Sequence, residues 1–330
     1  MVNHLQPSCQ WVFKRRLFVF RLSQLPIGDI VNPLGLEWLL VGNDAEAAKM
    51  QRRKILGLLP LAMASPYLLA AGEPPIRVGL TPAFLHDQYG LLDDWRQYME
   101  KRLRRPVEFI QRDSYRETMD LLRLEKIDFA WICDYPYVHL RKLVRLLAVP
   151  SYGGHPLYRA YFIVPASDAH TSSLLQLKGK VFAYADPYSN TGYLSPRFQL
   201  KQAGEDPAKF FGKTFFTYSH RKLVEAVASG LAQGASVDSF VWDTLNEIKP
   251  DMTRRTRIAA KSPEYGFPPL IAHRSVSEAS FVAMQNLLLS MNQDAEGQAL
   301  LKRFHLDGFR LGNEKLYASV AEMMRSFGED

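Results

Sequence analysis

The stretch Ala185-Asp186-Pro187-Tyr188-Ser189-Asn190-Thr191-Gly192-Tyr193-Leu194-Ser195-Pro196 is the most informative for chemistry. It follows an apolar run, Val181–Tyr184, that reads as a strand, and it opens a helix over Pro196–Gln202. Ser189, Asn190 and Thr191 place three short polar side chains at that junction, and Gly192 permits close backbone approach. A helix start carries unpaired N–H groups and partial positive charge, so a small tetrahedral anion suits it. Hydroxyl and amide groups would supply the remaining donors without a buried cation. The same residues also suit a plain helix cap and turn, and chemistry alone leaves both open. His220 could donate one or two N–H bonds to such an anion, which would favour its protonated form, or be structural. Tyr137, after a third strand, could line a cleft or pack a helix; Arg159 could meet the anion or form a structural pair near a hinge.

Positioning these groups requires an α/β frame. Strands are expected at Ile76–Leu80, Pro106–Ile110 and Asp128–Ile132, with helices over Asp93–Leu103 and Thr118–Leu124 between them. Ser114 and Glu117 form a capping-box start for the second helix. This βαβαβ order implies a mainly parallel sheet covered on both faces. The pattern begins again with strands at Tyr158–Val164, Val181–Tyr184, Thr214–Tyr218 and Ala235–Phe240 and a helix at Arg221–Ser229. Two lobes follow, 73–157 with 262–330 and 158–261. Ligands in open α/β sheets lie outside the carboxyl ends of strands, which here means the cleft between lobes. Phe281–Phe327 reads as two or three amphipathic helices padding the first lobe.

Several segments resemble the PhnD-type family of phosphonate, phosphite and phosphate binding proteins of ABC importers. They are Arg77-Val78-Gly79-Leu80-Thr81-Pro82, Ser114-Tyr115, Asp128-Phe129-Ala130-Trp131, the Asp186-Pro187-x-Ser189-x-Thr191-Gly192 motif, Ser219-His220 and Val237-Asp238. The resemblance implies the type 2 periplasmic-binding fold, two α/β lobes closing like a hinged trap. It also implies that Ser189, Asn190, Thr191, Gly192 and His220 hold a small oxyanion, with Tyr115 covering it from the other lobe. Aminophosphonate binders place an acid after the Val-Asp strand to meet an ammonium, and Asp243 is the nearest candidate here. The family's usual Ser-Thr-Ser is Ser189-Asn190-Thr191 in this chain, and Ile132-Cys133-Asp134 stands where an aromatic often follows the third strand. The implied partner is an ABC permease in the inner membrane; a sensor reporting to a membrane kinase is the alternative.

Bulk properties agree with a globular, exported protein. Of 330 residues 47% are hydrophobic and 23% charged, which excludes a disordered chain. Residues 1–72 hold eight Lys/Arg against four Asp/Glu, so four of the seven excess positive charges lie there. The basic run Lys101-Arg102-Leu103-Arg104-Arg105 closes an amphipathic helix, and no nucleic-acid partner is expected. Only Cys9 and Cys133 are present, so neither a disulfide framework nor a metal site is expected, and no cofactor. Met50-Gln51-Arg52-Arg53-Lys54, an apolar core from Ile55 and the exit Ala70-Ala71-Gly72 form a signal peptide over 50–72, for Sec or twin-arginine export. Residues 1–49 read as an over-extended start with translation beginning at Met50; under the rival reading 52–72 is an anchor. Hydrolase elbows, zinc helices and phosphate loops are missing, and Cys133, Asp134 and His139 are a weak basis for a nucleophile, so no catalytic residue is assigned. The expected form is a periplasmic monomer.

Overall fold

The computed structural model describes residues 73–82 and 89–329, so the signal at 50–72 and the 1–49 extension lie outside the described residues. The chain begins with β1 (Ile76–Leu80), α1 (Tyr89–Leu103), β2 (Val107–Gln111), α2 (Tyr115–Arg123), β3 (Phe129–Trp131), α3 (Asp134–Leu140) and β4 (Val144–Ser151). Next come β5 (Leu157–Pro165), β6 (Val181–Tyr184), α4 (Ser195–Gln202), β7 (Lys213–Phe216), α5 (His220–Ala228), β8 (Gly234–Asp238), α6 (Ser239–Ile248), α7 (Pro250–Thr253) and β9 (Thr256–Gly266). The chain then adds β10 (Leu270–His273), α8 (Glu278–Ser290), α9 (Ala295–Arg303), β11 (Gly308–Arg310) and α10 (Ala318–Ser326).

These strands make two sheets, ordered β11-β4-β10-β3-β1-β2 and β7-β6-β8-β5-β9. The expectation of mainly parallel sheets holds on one side of each sheet, where β1 pairs β2 and β3, and β6 pairs β7 and β8, in parallel. It fails on the other side, because β10 enters the first sheet antiparallel between β3 and β4, and β5 joins β8 and β9 antiparallel. A strand arriving from the other lobe runs opposite to the local crossovers, and a local apolar pattern does not disclose its direction.

The first sheet is fixed early in the chain by one ion pair. Asp128 accepts from the Arg77 backbone N at 2.8 Å and from its guanidinium at 2.6 and 3.1 Å, aligning β1 with the start of β3. Around Trp95, fully buried on α1, pack Phe109 stacked at 5.1 Å and Phe304 edge-on at 5.1 Å. On α2 the spacing Tyr115, Thr118, Met119, Leu122 turns one face inward, and the Ser114 side chain accepts from Glu117 N. In the second sheet the period of two sends Phe162 and Val164 to one face and Tyr161 and Ile163 to the other. On the first of these faces Phe182 stacks on Phe211 at 4.2 Å.

The lobes share a core. Tyr158, Ala160, Leu194 and Phe240 pack in the same apolar cluster as Trp131 of the first sheet, Phe267 and Tyr317. The C-terminal helices also do more than pad the first lobe. α8 and α9 lie on β4, β11 and α1, whereas α10 touches both α3 and α4. Beyond it the Phe327 ring lies 4.4 Å from the Arg197 guanidinium on α4, and Glu329 accepts from the Tyr135 hydroxyl on α3 at 2.6 Å.

Candidate functional site

β6 ends at Tyr184 and the chain turns through Asp186-Pro187-Tyr188 into a widened π-type turn, Asn190–Leu194, that leads into α4. Its opening bond runs from Leu194 N to Ser189 O at 3.0 Å, and the Ser189 hydroxyl accepts from Gly192 N at 3.0 Å. Single π turns inside helices occur often at functional sites, because they re-aim side chains that an α-turn would bury in the ladder. Ser189, Asn190 and Thr191 are all fully buried, and the Thr191 carbonyl accepts from Ser236 Oγ of β8 at 2.6 Å. The Thr191 hydroxyl and the Asn190 carbonyl oxygen have no protein partner. Two such orphans side by side are costly in a finished core and natural in a binding site.

His220 is the first residue of α5, held there by the Ser219 cap. Its Nδ1 accepts from the backbone N–H of Asp238 at 3.2 Å, which places the ring proton on Nε2. Nε2 lies 3.2 Å from Ser189 Oγ. The serine oxygen thus accepts from both His220 and Gly192 N and keeps its own proton to donate outward. Burial pushes the imidazole down to about 3, and its helix N-terminus also disfavours a cation. In this arrangement His220 is neutral and directs its Nε2 proton at Ser189.

From the first sheet, Asp134 follows β3 and starts α3. Its Oδ2 accepts from Asn190 Nδ2 at 2.7 Å, and its Oδ1 accepts from the Tyr158 hydroxyl at 2.8 Å and Tyr135 N at 3.0 Å. A second bond crosses the seam in the opposite sense, from Tyr115 N at the start of α2 to Asp186 Oδ2 at 3.1 Å. Tyr188 N completes Asp186 at 2.8 Å, and the buried Tyr115 ring packs with Cys133 and Tyr188. The Tyr115 backbone thus meets Asp186, ahead of the Ser189–Gly192 turn, from the other lobe. Sequence reasoning passed over Asp134, Asp186, Tyr158 and Asp238 as site groups. The available signal was an acid at the carboxyl end of each of three strands, where ligands lie.

Burial dominates the electrostatics. It raises Asp134 to about 6 and Asp238 to about 8, and it raises Asp186. The Cys133 thiol, fully buried and 3.0 Å from Asp134 Oδ1, is pushed well above its ordinary range by burial and then by that carboxylate. A thiol held protonated is a poor nucleophile.

Two expected residues are engaged elsewhere. Tyr137, on α3, sets its ring against Tyr317, 4.7 Å away. Asp243 lies on α6, where the Tyr152 and Tyr161 hydroxyls donate to its Oδ2 at 2.8 and 3.1 Å. Asp238 caps α6 by accepting from Val241 N, so Ser239-Phe240, expected as strand, is already helix. Arg159 pairs with Glu264 at 3.0 Å and Ser262 O at 2.8 Å across β5 and β9, the structural role expected near the hinge.

Two α/β lobes that meet over a buried polar turn, with carboxylate-centred hydrogen bonds crossing the seam, define a substrate-binding protein of the type 2 periplasmic fold. Residues 78–317 match the family described as ABC transporter, phosphonate, periplasmic substrate-binding protein, and the chain belongs to that family. The phosphonates-binding periplasmic protein of Escherichia coli is 23% identical over 246 residues, 72% of each chain. A probable phosphite binding protein of Prochlorococcus marinus is 21% identical over 70% of this chain and 82% of its own. The fold is shared with a binding component of a Pseudomonas aeruginosa ABC phosphonate transporter (TM-score 0.70, 20% identity, 76% of this chain and 85% of that one). It is also shared with a Prochlorococcus marinus protein solved with methylphosphonate (TM-score 0.69, 20% identity, 77% and 98%).

Proposed function

We propose that this protein captures a small tetrahedral oxyanion of phosphorus (phosphonate, phosphite or phosphate) in the periplasm and presents it to an ABC permease, without turnover. The observation that carries this reading is the fully buried turn in which the Ser189 hydroxyl has a proton to give and the Thr191 hydroxyl has no protein partner. Both stand at a helix mouth that disposes N–H groups toward an anion. Ser189, Asn190, Thr191, Gly192 and Tyr115 form the binding surface, with His220 behind Ser189.

Capture works by closure. Lobes 73–157 with 262–330 and 158–261 swing together, and the contacts Tyr115–Asp186 and Asn190–Asp134 exist only when they meet. Hydrogen bonds to charged groups contribute about 1.5–3 kcal/mol each, so these two favour the closed form and the ligand adds to them. A signal peptide at 50–72 delivers the protein to its compartment, where it acts as a monomer.

Calorimetry with phosphate, phosphite and methylphosphonate at neutral pH tests the proposal. Saturable one-to-one binding of at least one of them is expected; no heat from any of the three overturns it.

A further inference from the structure

Asn190 occupies the middle of the anion-binding turn, and its amide has two ends with opposite hydrogen-bonding character. Nδ2 points at Asp134 Oδ2, 2.7 Å away, and lies 3.4 Å from the Tyr158 hydroxyl. A carboxylate only accepts, so the amide cannot be reversed without setting two oxygens against each other. Asp134, raised by burial to about 6, is ionised at neutral pH. The Asn190 carbonyl oxygen is therefore the end left over, fully buried and unpartnered. The neighbouring groups are of the other kind, since the Ser189 and Thr191 hydroxyls are free to donate.

Resting on the oxyanion reading, we infer that Asn190 meets the ligand as an acceptor, so that the site selects oxyanions that retain a proton, and that Asp134 is the positioning residue that sets this polarity. Phosphate keeps one proton at neutrality, and phosphonate and phosphite give up their last one only around neutral pH, with a second pKa of about 6 or above, so a protonated form is on hand for the site to bind. Sulfate and sulfonates have the same shape and keep none. Against Asn190 a sulfonate oxygen would face a carbonyl oxygen, leaving a buried acceptor unsatisfied and two partial negative charges in contact. Sites built to bond a particular ligand proton reject analogues that lack it far more strongly than apolar pockets reject a size change. Replacing Asn190 by threonine puts there a hydroxyl that donates as readily as it accepts, and the discrimination should shrink.

The test compares methylphosphonate with methanesulfonate, and phosphate with sulfate, by calorimetry at neutral pH on the wild type, Asn190→Thr and Asp134→Asn. The wild type is expected to favour the phosphorus anion of each pair by on the order of 100-fold or more. Both variants are expected to narrow that ratio at least about 10-fold, because an amide at 134 lets the Asn190 amide turn round. A merely structural Asp134 would weaken both anions equally and leave the ratio alone. Equal wild-type affinities within a pair overturn the inference, as does an unchanged ratio in Asn190→Thr. Binding of neither anion by the wild type removes the oxyanion reading itself and this inference with it.

Discussion

Adding one methyl group at Gly192 is expected to abolish oxyanion binding. A Cβ there would stand 2.4 Å from Ala185 Cβ, 3.0 Å from Ser189 Oγ and 3.1 Å from His220 Cε1. Ala185 cannot retreat easily, because its N–H donates to the Gly192 carbonyl at 3.1 Å and ties the two backbones at that approach. The turn must open instead, and opening it breaks the Gly192 N to Ser189 Oγ bond that orients the hydroxyl. Overpacking of this kind costs about 1–3 kcal/mol in stability. The effect on affinity should be larger, a loss of about 100-fold or more, since every donor on the turn moves. Calorimetry and thermal melts of Gly192→Ala would read both; an affinity within about threefold of wild type contradicts the geometry.

The second large effect is on stability and depends on pH. Asp238 ends β8 and caps α6, accepting from Val241 N at 3.2 Å, in full burial. Burial first, then the nearby Asp134 and Asp243 charges, raise its carboxyl to about 8 from an ordinary 3.8. The native state therefore holds a proton that the unfolded chain has lost between those values. Stability from this group is complete below the unfolded value and drains away as pH rises, until the folded value is passed. Asparagine keeps the cap and carries no charge. Asp238→Asn is expected to match the wild type in acid and to gain on it by about 1.4 kcal/mol per pH unit toward pH 8, then level off. His220, depressed by burial, pulls the other way in both proteins and cancels in the difference. Urea melts at several pH values would show this; parallel stability curves contradict it.

Much of the frame was legible because its signals are local. The runs at Ile76, Pro106 and Val181 alternate with helices, one of which shows its cap, Ser114, in the sequence. The Ser189–Gly192 turn was legible because a helix mouth crowded with short polar residues is unusual chemistry. β10 and β11 were missed because strands of four and three residues paired with distant partners carry no period of their own. The strand expected over Ala235–Phe240 ran too far: Asp238 caps α6 from Ser239, and on that helix Asp243 accepts from Tyr152 and Tyr161. The polarity of Asn190 and the tautomer of His220 were not readable at all. Each is set by a partner far along the chain, Asp134 in the first case and the Asp238 backbone N–H in the second.

A crystal structure of the protein grown with methylphosphonate puts the anion-holding turn to its most direct test. The phosphorus oxygens should lie within hydrogen-bond reach of Ser189 Oγ and Thr191 Oγ1, with Asn190 Nδ2 still on Asp134. An anion seated elsewhere, with Ser189 and Thr191 bonded only to protein, would contradict it.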